Sequence, residues 1–559
     1  MPVVTINYDR LVSLLGKKFE REFLLNRIAM LGTAIEGFDD ESNELRVEVF
    51  PNRPDMLNLS GLARALKAFL GIEIGMPKYY VKKSDVCVYV KKGLEKIRPY
   101  IACAIIENLK LDEESLKDLI QLQEKLHETI GRRRKKVAIG LHDFSKVDPP
   151  IYYVAASKNK RFVPLGCEKE MSLEEILKYH EKGRAYAYIL RDFERYPLIV
   201  DTNNDVLSFP PIINSKKTEL SESTKELFVE ITGTNLKAVG QVLNILVCNL
   251  VEVGGDIKNI EVIYPSRKYE FPNISTKKML VRASYVNKLL GLNLSPYEIS
   301  YLLRKMLYDT KIEGDNIIVE VPAFRVDIMH AIDIVEDVAI AFGYENFESS
   351  ITPISTVGVR DNFELFCSIV REMLVGLGFQ EVFTFTLSNP DKEFKKMGIN
   401  EENCVEIKNP KTNEFTIFRK SLIPSMLELL SFNKKARLPH KIFEIGDTAS
   451  VNKSAEVGAE IEKYICCAIS DYKVTFSDIL SILDAIFGNL KVKYELRQTE
   501  HASFIDGRVA GIFINGEDMG IIGEIHPLIL ENFGIEYPVA IFEFNLTKIF
   551  NILKTLNEI

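Results

Sequence analysis

Four carboxylates, Asp327, Asp333, Glu336 and Asp337, crowd into VPAFRVDIMHAIDIVEDVAIAFGY, residues 321–344, a pattern able to hold a cation. The 3.6-residue period predicts a helix on which Asp333, Glu336 and Asp337 share a face, with Asp327 a turn or more upstream. Carboxylates three and four residues apart on a helix repel one another. The repulsion is harmless on a wet face, and it is relieved where a divalent cation or a basic partner lies against it. Ile340 falls on the same side, which a purely solvated face does not require. A competing reading makes Asp327 an N-cap favoured by the helix dipole and the other three ordinary surface charge. Ile328, Ile332, Val335, Ala339 and Phe342 recur on the opposite side as the expected buried stripe, and Gly343 suits a helix stop.

The elements that must position such groups are spread over 559 residues, too many for one core; at about 150 residues per domain they make about four domains. With 46% hydrophobic and 27% charged residues the composition is that of a soluble globular protein. The most apolar stretch, 242–253, is interrupted by Asn244, Asn249 and Glu252, so it predicts a buried amphipathic helix and no membrane span. The start, MPVVTINYDRL, lacks the basic opening and apolar core of a signal peptide, and a cytoplasmic location is expected. Eight scattered cysteines without a CxxC pair predict reduced thiols, and seven histidines without HExxH argue against zinc. A net charge of −8 gives no global attraction to a polyanion, so any nucleic-acid contact must be local. The most basic run, RRRKK at 132–136, reads either as a solvated loop or as such a contact.

The expected fold class is α+β and multidomain. Residues 1–82 predict a small α+β module: a strand at 3–7, helices at 8–15, 20–31 and 59–70, a strand at 45–49, and PNRPDM at 51–56, which its two prolines keep irregular. Residues 83–266 mix β-like runs at 152–156, 186–190 and 228–231 with two long helices. Residues 267–346 predict a small helix-rich module with helices at 285–290 and 295–307 and a strand at 317–321 ahead of the acidic helix. After a connector, residues 360–559 predict a helix at 363–377 and strands at 380–387, 404–407, 441–445, 464–469, 509–514 and 539–545. That alternation suits a mostly antiparallel sheet with helices on it.

Seven blocks, in order along the chain, carry a resemblance: PNRPDMLNLSGLARAL (51–66), FPPIINS (209–215), EITGTN (230–235), the acidic segment, FRKSLIPSMLELLSFN (418–433), IFEIGD (442–447) and GIIGEIHPLILENFGIEYPVAIFEF (520–544). Together they resemble the beta subunit of phenylalanyl-tRNA synthetase, archaeal and eukaryotic type. The resemblance implies an N-terminal module, an α+β editing domain, a small module bearing the acidic helix, and a class II synthetase-like antiparallel domain at the C-terminus. It implies a catalytic alpha subunit as partner, two alpha and two beta chains assembling to attach phenylalanine to tRNA(Phe) with ATP. Class II enzymes grip ATP with an arginine followed by a glutamate and with a second, late arginine. Here Arg419 is followed by Lys420 and Ser421, and no arginine occurs after Arg508. Charge stabilisation is the main lever in such chemistry, so the last domain is expected to be catalytically silent, with no catalytic residue for aminoacylation.

The resemblance also implies a hydrolytic site. A pocket shaped for phenylalanine excludes tyrosine by only about a hundredfold, because an apolar wall rejects one added hydroxyl poorly. A second site that accepts the hydroxyl would then clear tyrosyl-tRNA(Phe). The implied residues are Ser208, Pro210, Pro211, Asn214, Glu230, Thr232 and Thr234. Glu230 would meet the tyrosine hydroxyl or shape the site electrostatically, although the family often has aspartate there; Thr232 and Thr234 would orient water or the ester, and Asn214 with Pro210 and Pro211 would shape the pocket. No Ser-His-Asp arrangement is visible, so a positioned water is the expected nucleophile. For the acidic helix the resemblance implies one Mg²⁺ per beta chain, shared with the alpha subunit, at Asp327, Asp333, Glu336 and Asp337, with only some of the four binding directly. Two other readings remain: a non-catalytic tRNA-binding or assembly scaffold with a decayed editing site, and a free-standing hydrolase with a carboxylate-bound metal.

Overall fold

The computed structural model describes residues 2–352 and 354–555. The chain forms two compact units, 1–351 and 352–559, each mixed α and β. Among the described residues no helix is long and apolar enough to cross a membrane.

The first unit starts with a three-stranded sheet, Val3–Asn7 and Thr33–Asp39 flanking Glu44–Val49, packed by the helices Tyr8–Leu15, Arg21–Met30 and Leu59–Phe69. PNRPDM makes a single 3-10 turn, Pro54–Met56, and Asn58 then caps the next helix by accepting from Gly61 N–H at 3.0 Å. Gly61 is required there, because a β-carbon would run into the Asp55 carbonyl.

Two further sheets follow. The five-stranded one is ordered Val81–Lys82, Asp256–Lys258, Tyr100–Glu107, Leu227–Gly233, Val137–Asp143, and the long helix Leu236–Val251 lies against it. The seven-stranded one runs from Ile213–Asn214 through Val206–Phe209, Arg195–Val200, Ile151–Ser157, Cys87–Val90 and Ile260–Ile263 to Lys268–Phe271. This pairing corrects the expected boundaries at 82 and 266, since Val81–Lys82 and Lys268–Phe271 hydrogen-bond into these sheets. The β-like run at 186–190 is a helix end, Glu181–Tyr186, followed by the 3-10 turn Ala187–Ile189. A small sheet, Lys277–Arg282, Asp309–Glu313 and Asn316–Val321, then carries the helices Ala283–Leu290, Pro296–Lys305 and Ala331–Phe342.

The second unit is built on a seven-stranded sheet ordered Gln380–Glu381, His440–Val451, Ala459–Ser470, Val539–Asn545, Glu517–Ile525, Phe504–Ile514, Glu495–Gln498. All neighbours are antiparallel except the short first strand, which is parallel to the second. Separate apolar clusters fill its two faces. The expected strand at 380–387 shrinks to two dipeptides, Gln380–Glu381 and Leu387–Ser388, and 404–407 contributes an isolated bridge at Glu406. Glu517–Ile525 is a strand not foreseen, because its two glycines hide the alternation.

The central strand Val539–Asn545 carries Glu543, a buried carboxyl that accepts from Leu422 N–H at 2.5 Å and from the Ser421 hydroxyl at 3.0 Å. Burial pushes it up to about 7 despite those donors. A carboxyl whose folded pKa lies above its unfolded value of about 4.3 favours the fold fully below that value, and loses this contribution as pH rises to 7. Glu543→Gln is therefore expected to stabilise the second unit at pH 8, by at most about 4 kcal/mol, and to have much less effect at pH 4.5. Scanning calorimetry at the two pH values checks this; an equal effect at both contradicts it.

Candidate functional site

The acidic segment is only half helix. Residues 322–330 form turns after the strand Asn316–Val321, and the helix Ala331–Phe342 is capped by His330, not Asp327, which corrects that reading. Asp333 is the third helical residue, and its Oδ2 accepts from the backbone N–H of Met329 and His330, both at 2.7 Å. The buried stripe is Ile334, Val335, Val338, Ala339 and Ala341, while Ile332 is exposed. Asp337 lies inside with this stripe.

Asp337 and Asp327 are paired from within. Arg325, itself buried, donates to Asp327 Oδ2 at 2.8 Å and to Asp337 Oδ2 at 2.7 Å, and the Tyr308 hydroxyl also donates to Asp337. Burial alone would pull Arg325 down, but Asp337, Tyr308 and Asp327 outweigh it and keep the guanidinium ionised. Glu336 is exposed, and burial of part of its side chain together with Asp337, Asp333 and Asp327 pushes its carboxyl up. All four carboxylates line one cleft of about 580 Å³, whose other wall includes Met30, Phe50 and Arg53. They do not fit a divalent ion held by this chain alone. Two of the four are satisfied by Arg325 and a third caps a helix. Among the described residues no three acidic, histidine or cysteine side chains converge as ligands.

PNRPDM supports this cleft. Arg53 and Asp55 form a two-pronged buried ion pair at 2.8 and 2.9 Å. Arg64, also buried, stacks its guanidinium 3.9 Å from the centre of the Phe324 ring and donates to the Tyr79 hydroxyl. This first block of the resemblance thus works as interior scaffolding.

The second cavity lies over the middle of the five-stranded sheet. Its volume is about 70 Å³, room for several water molecules, and Pro210, Pro211, Asn214 and Glu230 form part of its wall. Glu230 sits at the centre of Leu227–Gly233, opposite Cys103 on one neighbouring strand and Gly140 on the other. A β-carbon at Gly140 would overlap the Glu230 carboxyl, so glycine there gives the side chain its place. Glu230 is buried; Oε1 accepts from the Ser208 hydroxyl at 2.8 Å, and Oε2 has no hydrogen-bond partner among the described residues.

Ser208 therefore stands behind Glu230. Thr232 instead holds buried Arg98, from which its hydroxyl and carbonyl accept at 2.8 and 2.6 Å. Burial lowers Arg98 to about 10, and Tyr153 and Glu230 act in the opposite direction. Thr234 is exposed in the following turn, which corrects its expected place in the pocket. Five residues went unforeseen: Arg98, Glu124, His127, Arg134 and His142. His142 lies with Nε2 3.9 Å from Glu230 Oε1 and Nδ1 2.8 Å from the Thr218 hydroxyl. Glu124, His127 and Arg134 join the cavity wall. Arg134 belongs to the basic run, whose two readings both fail for it: it is buried and donates to Glu124 at 2.7 Å and to the Ile212 carbonyl at 2.9 Å. Arg132, Arg133 and Arg134 all adopt left-handed backbone, with φ of 49°, 52° and 64°, at a cost of about 1–2 kcal/mol each. Arg132 and Arg133 stay exposed.

Three families match in chain order: the B3/4 domain over residues 98–244, the tRNA synthetase B5 domain over 279–344, and the phenylalanyl tRNA synthetase beta chain CLM domain over 348–546. The first holds the cavity and the second the acidic helix. The chain is 43% identical over 554 residues to the phenylalanine--tRNA ligase beta subunit of Pyrococcus horikoshii, covering 98% of this chain and 100% of that one. It is 41% identical over 554 residues to that of Archaeoglobus fulgidus, covering 99% of each. The crystal structure of an N-terminal fragment of the phenylalanyl-tRNA synthetase beta subunit from Pyrococcus horikoshii aligns with a TM-score of 0.60 and 45% identity, covering 61% of this chain and 100% of that one. Matches of this kind define a component of an aminoacyl-tRNA synthetase. The chain belongs to the phenylalanyl-tRNA synthetase beta-subunit family.

The carboxylates of the first cleft are separable by substitution. Asp333→Ala removes an acceptor for two N–H groups and is expected to lower stability by about 1 kcal/mol. Glu336→Ala removes only exposed like charge and is expected to be neutral or slightly stabilising. Urea unfolding of the two variants checks this; equal losses contradict it.

Proposed function

We propose that this chain is the non-ligating half of a phenylalanine-attaching synthetase, and that its own reaction is hydrolysis of tyrosyl-tRNA(Phe) in the cavity over Leu227–Gly233. One observation carries the reading: Glu230 is buried in the wall of that cavity with one oxygen taken by Ser208 and the other without a partner among the described residues. A buried, half-satisfied carboxyl is unfavourable until a donor arrives. A phenol O–H is such a donor and a phenyl ring is not, so the site gains a hydrogen bond with tyrosine that phenylalanine cannot supply. Sites built to hydrogen-bond a hydroxyl discriminate by far more than apolar ones do.

In the reaction, a water adds to the ester carbonyl, the bond to the terminal ribose oxygen of the tRNA breaks, and that oxygen takes a proton. Free tyrosine and uncharged tRNA leave. Asn214, whose side-chain N–H donates to the Leu141 carbonyl at 3.1 Å, and the Pro210–Pro211 turn keep the wall in shape. Thr232 supports the site through Arg98, whose charge acts on Glu230.

The alpha subunit of the holoenzyme attaches phenylalanine, using ATP and Mg²⁺, and this chain's second unit is a silent class II-like domain. Its Arg419 supports that reading, since it is buried, ion-paired with Glu444 at 2.9 Å, and donates to the Thr384 hydroxyl at 2.7 Å and to the Asp447 carbonyl at 2.9 Å. The acidic cleft is read as a docking face for the alpha subunit. A shared Mg²⁺ would need ligands from that partner, because Asp327 and Asp337 are already paired with Arg325.

Two outcomes test the reading. In the assembled enzyme, Glu230→Ala is expected to slow hydrolysis of tyrosyl-tRNA(Phe) by about a hundredfold with phenylalanine attachment retained; undiminished hydrolysis contradicts the assignment and favours the scaffold alternative. Glu336→Lys, which breaks no internal ion pair, is expected to abolish co-purification with the alpha chain, and normal assembly contradicts the docking face.

A further inference from the structure

The mouth of the same cavity carries an arrangement that no step above uses. Glu124 and His127 lie three residues apart on the helix Glu113–Glu128 and both line the cavity, together with Arg134 and Lys182. His127 is buried, and its Nε2 accepts from Ile139 N–H at 2.8 Å. That bond puts the ring proton on Nδ1, which lies 3.5 Å from Glu124 Oε1. Burial lowers the imidazole to about 4, so it is neutral at pH 7, and with Nε2 occupied it cannot take a proton from water. His127 is therefore no general base. Its free edge is turned to Glu124.

Arg134 reaches the same oxygen. Its Nη2 donates to Glu124 Oε1 at 2.7 Å while Nη1 holds the Ile212 carbonyl and the guanidinium stacks 4.6 Å from the centre of the Tyr186 ring. Burial pushes the Glu124 carboxyl up, but His127, Arg134 and Lys182 outweigh it and bring it to about 2. The outcome is a carboxylate ionised at any physiological pH and held by Oε1 alone. Its side chain is 39% exposed, and Oε2 has no hydrogen bond among the described residues. The left-handed run that turns Arg134 inward is strained, and the clamp on Glu124 and Ile212 is what that strain produces.

A fixed carboxylate with one open oxygen at the mouth and a buried carboxyl with one open oxygen in the wall ask for a ligand with a donor at each end. The aminoacyl group of tyrosyl-tRNA has a phenol at one end and an ammonium beside the ester at the other. We propose that Glu124 binds the α-ammonium of the aminoacyl ester, with Arg134 and His127 as the residues that position it. The inference rests on the hydrolytic reading of the cavity.

The assembled enzyme tests it with two substrates: tyrosyl-tRNA(Phe), and the same ester with a hydroxyl in place of the α-ammonium, each rate normalised to hydrolysis in buffer. The unmodified enzyme is expected to prefer the ammonium substrate by about tenfold in kcat/KM, mostly through KM. Glu124→Gln is expected to bring the two substrates within about twofold, and Glu124→Asp to restore part of the preference. A merely structural role would lower both rates together and leave the ratio unchanged, which overturns the inference, as does an unmodified enzyme indifferent to the ammonium. If the unmodified enzyme cleaves neither substrate, the hydrolytic reading itself fails.

Discussion

A charged side chain taken out of water must find its counter-charge inside the fold, and this constraint decides what the conspicuous polar residues of the chain do. Arg53 with Asp55, Arg325 with Asp327 and Asp337, and Arg419 with Glu444 are all buried ion pairs. Removing one member of such a pair leaves the other stranded, at a cost of about 3–5 kcal/mol. The pairs hold the turns of PNRPDM, the segment before the acidic helix and the interior of the second unit in single arrangements. They are scaffolding, whatever chemistry their residue types suggest.

Glu230 departs from that pattern. It is as buried as the paired acids, but its donor is a neutral serine hydroxyl, and the nearby guanidinium of Arg98 is bonded to Thr232 instead. The strand around it is fixed on both sides by antiparallel neighbours, and Gly140 opens the space into which the carboxyl projects. A rigid sheet, a missing side chain opposite and an incomplete set of partners are the features on which the proposed hydrolytic site rests. The same logic separates the carboxylates of the acidic cleft: those paired to Arg325 shape it, and Glu336 is the one left to meet something else.

Much of the fold was legible from periodicity. The strand Val539–Asn545 and the helix Tyr8–Leu15 fall where alternation and amphipathic spacing put them. What escaped were tertiary decisions. A helical wheel over 321–344 assumes one continuous helix, but Asp333 accepts two backbone N–H groups and the helix starts at Ala331; nor does a wheel show Arg325 and Tyr308, which meet Asp337 inside. Arg134 looked like one of five solvated cations, and only the left-handed backbone sends it to Glu124. Glu124 and His127 had a local signal in their spacing on one helix, too common to stand out without the cavity beside them. Glu230, Asn214, Pro210 and Pro211 share the cavity wall, while Thr232 serves Arg98 and Thr234 faces water.

On the proposed reading the cavity over Leu227–Gly233 receives the tyrosyl group. The most direct measurement is a crystal structure of the assembled enzyme with an adenosine carrying tyrosine through a non-hydrolysable amide link. The account predicts the phenol oxygen within about 3 Å of Glu230 Oε2, with Pro210, Pro211 and Asn214 around the ring. A bound analogue whose phenol lies elsewhere, with Glu230 still bonded to Ser208 alone, would contradict it.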